Sequence, residues 1–104
     1  MPIPTNPDIL RAVHTAYTTD LGLPEEWTDD QREEFIRTEA GKITWMARAR
    51  AETLAEAGIR HWAQRNRQMP DPLTQSALRI ASRAQAVHQV LSGELYELIA
   101  VDDD

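Results

Sequence analysis

"PLTQSALRIASRAQAVHQVLSGELYELIA", residues 72–100, decides the fold. Leu73, Ala77, Ile80, Ala84, Val87, Leu91, Leu95 and Leu98 recur at spacings of 4, 3, 4, 3, 4, 4 and 3. That is the period of an amphipathic helix, and no window of the chain shows the period-two alternation of a strand. The residues just before it, "MPDP", stop whatever helix precedes: Pro70 and Pro72 cannot continue one, while Asp71 caps the next with Pro72 at its first position. A last helix over about 71–100 follows, with Gly93 placed to bend it before "ELYELIA", and residues 101–104 read as a solvated acidic tail.

Upstream, "TDDQ" at 28–31 is a capping box in which the Thr28 hydroxyl and the Gln31 side chain each satisfy an end amide. Asp29, Asp30, Glu33 and Glu34 crowd the first turns, where the helix dipole favours anions. An apolar series of Ile36, Ala40, Ile43, Ala47, Ala51 and Leu54 then predicts a helix over 28–57. Gly58 is read as a break, with a further helical stretch over 59–68. Asn6 as N-cap and Pro7 at the first position open a short N-terminal helix over 6–19, ended by "TTDLGLP".

The two long helices alternate large and small residues, Ile36/Ala40/Ile43/Ala47 on one and Leu73/Ala77/Ile80/Ala84 on the other. Small residues facing large ones let helix axes approach and interlock, and the short "MPDP" connection favours antiparallel neighbours. The expectation is therefore an all-α, single-domain small helical bundle over 1–104. It is built on an antiparallel helical hairpin with the N-terminal helix laid across it. Trp27, Phe35, Trp45, Met46, Trp62, Leu78, Tyr96 and Ile99 still need burial, and a chain of 104 residues covers its own apolar surface poorly. Oligomerisation would complete the bundle, and a homodimer is the favoured form.

Composition removes several kinds of chemistry. There are no cysteines, so disulfides and thiolate metal sites are excluded, which fits a reducing cytoplasm. The start "MPIPTNPDIL" has neither a basic cluster nor an apolar run, and nothing approaches a membrane span. Ten arginines against the single Lys42 fit a GC-rich bacterial or phage source. His14, His61 and His88 have no histidine or acid three or four positions away, so no paired metal-ligand motif is presented. No phosphate loop or nucleophile elbow occurs, and no histidine stands at a recognisable spacing to activate Ser76, Ser82 or Ser92. No enzyme, cofactor or metal is expected.

Charge is segregated: residues 20–39 carry a net −6, residues 40–83 a net +5, and residues 84–104 a net −5. Within the basic middle, "GIRHWAQRNRQMPDP" at 58–72 places Arg60, Arg65 and Arg67 beside Trp62. One reading makes these the surface that binds a partner protein, since arginine and tryptophan are enriched at binding hot spots. The alternative takes Arg48, Arg50, Arg60, Arg65 and Arg67 as a phosphate-contacting stripe for nucleic acid, with Trp62 stacking on a base. The cations are few and the chain as a whole, at −6, repels nucleic acid, so the first reading is preferred. An acidic mimic of DNA ranks third. The sequence thus reads as a non-enzymatic, protein-binding accessory protein acting through a helical surface as a homo-oligomer.

Overall fold

A computed structural model describes residues 4–98. Every described element is a helix. Helix α1 spans Pro7–Thr15 and is prolonged by a π-helical turn over Ala16–Asp20. Asn6 caps it as expected, its side-chain oxygen accepting from the amides of Asp8 at 2.8 Å and Ile9 at 3.2 Å. Helix α2 spans Asp29–Asn66 and starts on the capping box: the Gln31 amide donates to the Thr28 hydroxyl at 3.2 Å, and the Thr28 amide to Gln31 Oε1 at 2.8 Å. Helix α3 spans Pro72–Leu91, with the Asp71 carboxylate accepting the Thr74 amide at 2.7 Å. A π-helical segment, Ser92–Tyr96, extends it and contains Gly93, where the sequence suggested a bend. Ile99, Ala100 and the acidic tail lie outside the described residues.

The expected break at Gly58 does not occur. Helix α2 runs without interruption to Asn66, because Gly58 is flanked by good helix formers and costs only about 1 kcal/mol relative to alanine. The glycine faces α3: a Cβ at this position would lie 4.0 Å from Leu78 Cδ2. The stop comes at Arg67, in the left-handed conformation (φ 57°), and Pro70 follows as a buried residue.

The α2 stripe is placed as the sequence predicts. Ile36, Ala40, Ile43, Ala47 and Ala51 are all buried, and α2 packs against α3. The stripe of α3 and its extension is placed as predicted only in part: Val87 is half-buried and Leu91 and Leu95 are buried, but its first four members are in water. Leu73 and Ile80 are 81% and 64% exposed, and Ala77 and Ala84 are exposed with them. The buried face of α3 instead carries Ser82, Ala86 and Val90, with Leu78 half-buried. These positions repeat every four residues, as do Ala47, Ala51 and Ala55 on α2, so both helices present matching rows of mostly small side chains that let their ridges interleave. The connection is consistent with this rotation of α3: Gln75 Nε2 donates back to the Pro70 carbonyl at 2.9 Å, and Leu78 and Ser82, one and two turns on, share its side of the helix. Burying Ser82 leaves no unmet donor, since its hydroxyl donates to the Leu78 carbonyl at 2.8 Å.

The main core lies toward one end. Ile9, Val13 and Ala16 of α1 and its extension meet Ile36, Ala40, Ile43 and Ala47 of α2, with Val90, Leu91 and Leu95 closing the cluster. Beside it Phe35 stacks edge-on to Tyr17 (centroids 5.0 Å apart, planes at 88°) and lies 5.6 Å from Trp27. Burial of Tyr17, reinforced by the Glu39 carboxylate, raises its phenol above the ordinary value. Half-buried Arg32 holds the loop before α2, donating to the carbonyls of Pro24 at 3.2 Å and Glu25 at 3.1 Å. Of the other large side chains awaiting burial, Trp62 is half-buried, while Trp45, Met46 and Tyr96 are exposed.

The molecule is a long, thin plate, 60 × 37 × 14 Å over its Cα atoms. Its 38-residue α2 alone accounts for about 57 Å at 1.5 Å per residue. The radius of gyration is 17.2 Å, against about 13 Å for a compact domain of this length. Accessible surface is 7633 Å² for 11.8 kDa, about 1,700 Å² more than the roughly 5,900 Å² of a typical monomer of that mass.

Candidate functional site

Helical geometry disperses the residues that the sequence places side by side. At about 100° per residue, Arg60 and Trp62 point to opposite sides of α2, while Arg65 lies within about 60° of Trp62. Arg60, Arg65 and Arg67 are exposed and Trp62 is half-buried. Arg67 follows the helix in its left-handed turn, and the Asn66 side chain donates to the Trp62 carbonyl at 2.8 Å to close the last turn. Trp62 and Arg65 therefore share one side near the end of the rod, with Arg67 just beyond, and Arg60 is set apart from them.

The five arginines considered for a phosphate stripe are not in a row either. Arg48 and Arg50 stand about 200° apart around α2, and Arg60 points in a third direction. What the fold does assemble is a different group. Arg48 from α2 joins Arg79 and Arg83 from α3 on the walls of one cleft of about 480 Å³. Among the described residues Glu52 is the only acid lining it. Ala47, Ala51 and Ala55 line the α2 side, and Ile9 and Val87 supply further apolar surface.

Asn6 and Pro7 close one end of this cleft, and the join there is fully bonded. The Asn6 amide donates to the Thr44 hydroxyl at 3.2 Å, and that hydroxyl donates to the Ala40 carbonyl at 2.7 Å. Among the described residues the ion pairs are Arg11–Asp8 and Arg37–Glu33. Within that set Arg48, Arg79 and Arg83 are free cations, and Glu52 neutralises none of them.

Sequence reading missed Arg79 and Arg83. Their signal was the i, i+4 spacing that puts both on one side of α3, matched by Arg48 and Glu52 at the same spacing on α2. Which side of α3 met α2 was the missing information.

His14, His61 and His88 are all exposed. Among the described residues no three His, Cys, Asp or Glu side chains are grouped so as to hold a metal ion, and no helix is long and apolar enough to cross a membrane. The Asp71 carboxyl is held below the usual carboxylate range by its hydrogen bonds from Thr74, which is a capping effect. Comparison with family models, with curated proteins and with solved structures finds no match to this chain.

Proposed function

We propose that this chain is a non-enzymatic protein-binding module that works as a homodimer, two copies meeting along the outer face of α3. Each copy is an antiparallel hairpin of α2 and α3 with α1 across one end. The observation that carries the reading is the row Leu73, Ala77, Ile80 and Ala84, heptad-spaced like a coiled-coil seam yet exposed, with Leu73 at 81% and Ile80 at 64%. Of the positions flanking it, Thr74, Ser76 and Ala81 are uncharged and Arg83 is the one charge, so a second helix meets a row bordered by a single cation per copy.

The surface excess of about 1,700 Å² on one copy is about twice the roughly 800 Å² that a standard interface buries on each partner, so it is ample for one. The row itself is short, about 16 Å along the helix, so an interface of that area draws in neighbours such as Met69, which is 69% exposed. Trp62 with Arg65 and Arg67, at the turn end, remains the surface offered to a different protein. Light scattering from low to high micromolar concentration tests the dimer. A mass rising to twice 11.8 kDa is expected, and a monomer throughout refutes it.

A further inference from the structure

We infer that the cleft between α2, α3 and the start of α1 binds an organic anion: a phosphate monoester or carboxylate head carried on a short apolar body. Three guanidiniums, Arg48, Arg79 and Arg83, line it against one carboxylate, Glu52, a local net of +2 in a chain whose total is −6. An anion seated in a cleft lined by three cations is favoured by their combined charge and accepts paired N–H bonds. The planar fork of arginine matches a phosphate or carboxylate edge.

The rest of the cleft is suited to something other than a bare ion. Ala47, Ala51 and Ala55 leave room because they end at Cβ, and Ile9 and Val87 add apolar wall. Of the two threonines lining it, Thr5 and Thr44, the buried Thr44 already has both its hydroxyl partners within the protein. A head on the arginines and an apolar body along the alanines uses both halves. The volume of about 480 Å³ lies in the ordinary range for small-molecule sites. Arg79 stands about 130° and Arg83 about 90° around α3 from the middle of its exposed row, so this site lies beside the proposed dimer seam and shares none of its four residues.

The test uses the full chain and four probes: hexyl phosphate, hexanoate, inorganic phosphate and hexanol, titrated by calorimetry and by amide NMR shifts. Either hexyl phosphate or hexanoate binds at least tenfold more tightly than inorganic phosphate and hexanol, with shifts confined to 5–9, 44–55 and 79–87, and the tighter of the two identifies the head. R79Q/R83Q, checked for folding by circular dichroism, weakens that binding tenfold or more, and R60Q/R65Q leaves it unchanged. Inorganic phosphate binding as tightly as both organic anions, equal weakening by the two double variants, or no binding at millimolar probe overturns the site. Performing the titration also on I80Q, which adds no charge beside Arg79 and Arg83, at concentrations where sedimentation shows a monomer, separates failure of the site from failure of the dimer.

Discussion

Substituting Ile80 by glutamate addresses the proposed seam directly. Burying an isoleucine from full exposure is worth about 1.5–3 kcal/mol, and with 64% of Ile80 exposed the interface gains about 1–2 kcal/mol from each copy. Two copies contribute about 2–4 kcal/mol, a factor of about 30 to 700 in the dimer dissociation constant. That is the loss expected for Ile80→Ala. Ile80→Glu exceeds it, because the carboxylate is carried into an apolar contact, and only Arg83, three residues on at the edge of the row, offsets part of that cost. Within a single chain the same side chain projects into water, so the fold itself changes by no more than about 0.5 kcal/mol. Sedimentation velocity at several concentrations reads the association, and thermal unfolding reads the fold. Wild-type melting rises with concentration, as it must when association favours the native state, and the variant's melting does not. A variant that associates like wild type refutes the seam. A variant that loses helicity, or melts far below dilute wild type, shows instead that Ile80 is buried within its own chain.

The remaining predictions concern the helix contacts and caps. In the I80E background, Ala86→Leu overpacks a fully buried position and costs about 1–3 kcal/mol, whereas Ala84→Leu stays within about 0.5 kcal/mol on the exposed face; urea unfolding in which the two costs are equal would reverse the orientation assigned to α3. Gly58→Ala raises stability by about 0.5–1 kcal/mol, since the new Cβ makes an ordinary contact with Leu78 and the helix is continuous there; a lowered melting temperature contradicts that continuity. The Asp71 cap has a pH signature. Its carboxyl is depressed in the folded chain, so its contribution is complete above the unfolded value and fades as pH falls through the folded one. Acid titration of Asp71→Asn removes that part of the decline, and an unchanged acid profile shows that the cap is inert.

The caps and turns were legible because each rests on a few adjacent residues: Asn6–Pro7, the Thr28–Gln31 box and Asp71–Pro72 form as their chemistry dictates. The α2 core stripe was legible too, since Ile36, Ala40, Ile43 and Ala47 keep a regular spacing of 4, 3 and 4, while Phe35, Trp45 and Met46 fall off it. Helix α3 has apolar residues on two sides. Leu78, Ala86 and Val90 compete with Leu73, Ala77, Ile80 and Ala84, and hydrophobic periodicity favours the larger, better-spaced row. The fold chose the other, because Ala47, Ala51 and Ala55 take up a row of small side chains more closely than one of leucine and isoleucine, and the tie of Gln75 to Pro70 is consistent with that rotation. The arginine cleft was hidden for the same reason, since Arg79 and Arg83 join Arg48 only once α3 has turned that way.

Periodicity in a sequence records every helix contact, within the chain and between chains, without saying which is which. A heptad row that the chain's own packing leaves in water is costly to keep: Leu73 and Ile80 favour aggregation and add nothing to the isolated fold. On the proposed dimer the cost disappears, and the row's regularity is explained by a partner with the same row. The reading that misplaced α3 within the chain would then have identified a real seam one level up, between copies. The two levels separate experimentally, because an intrachain stripe responds to substitution at every concentration and an interchain seam only where copies meet.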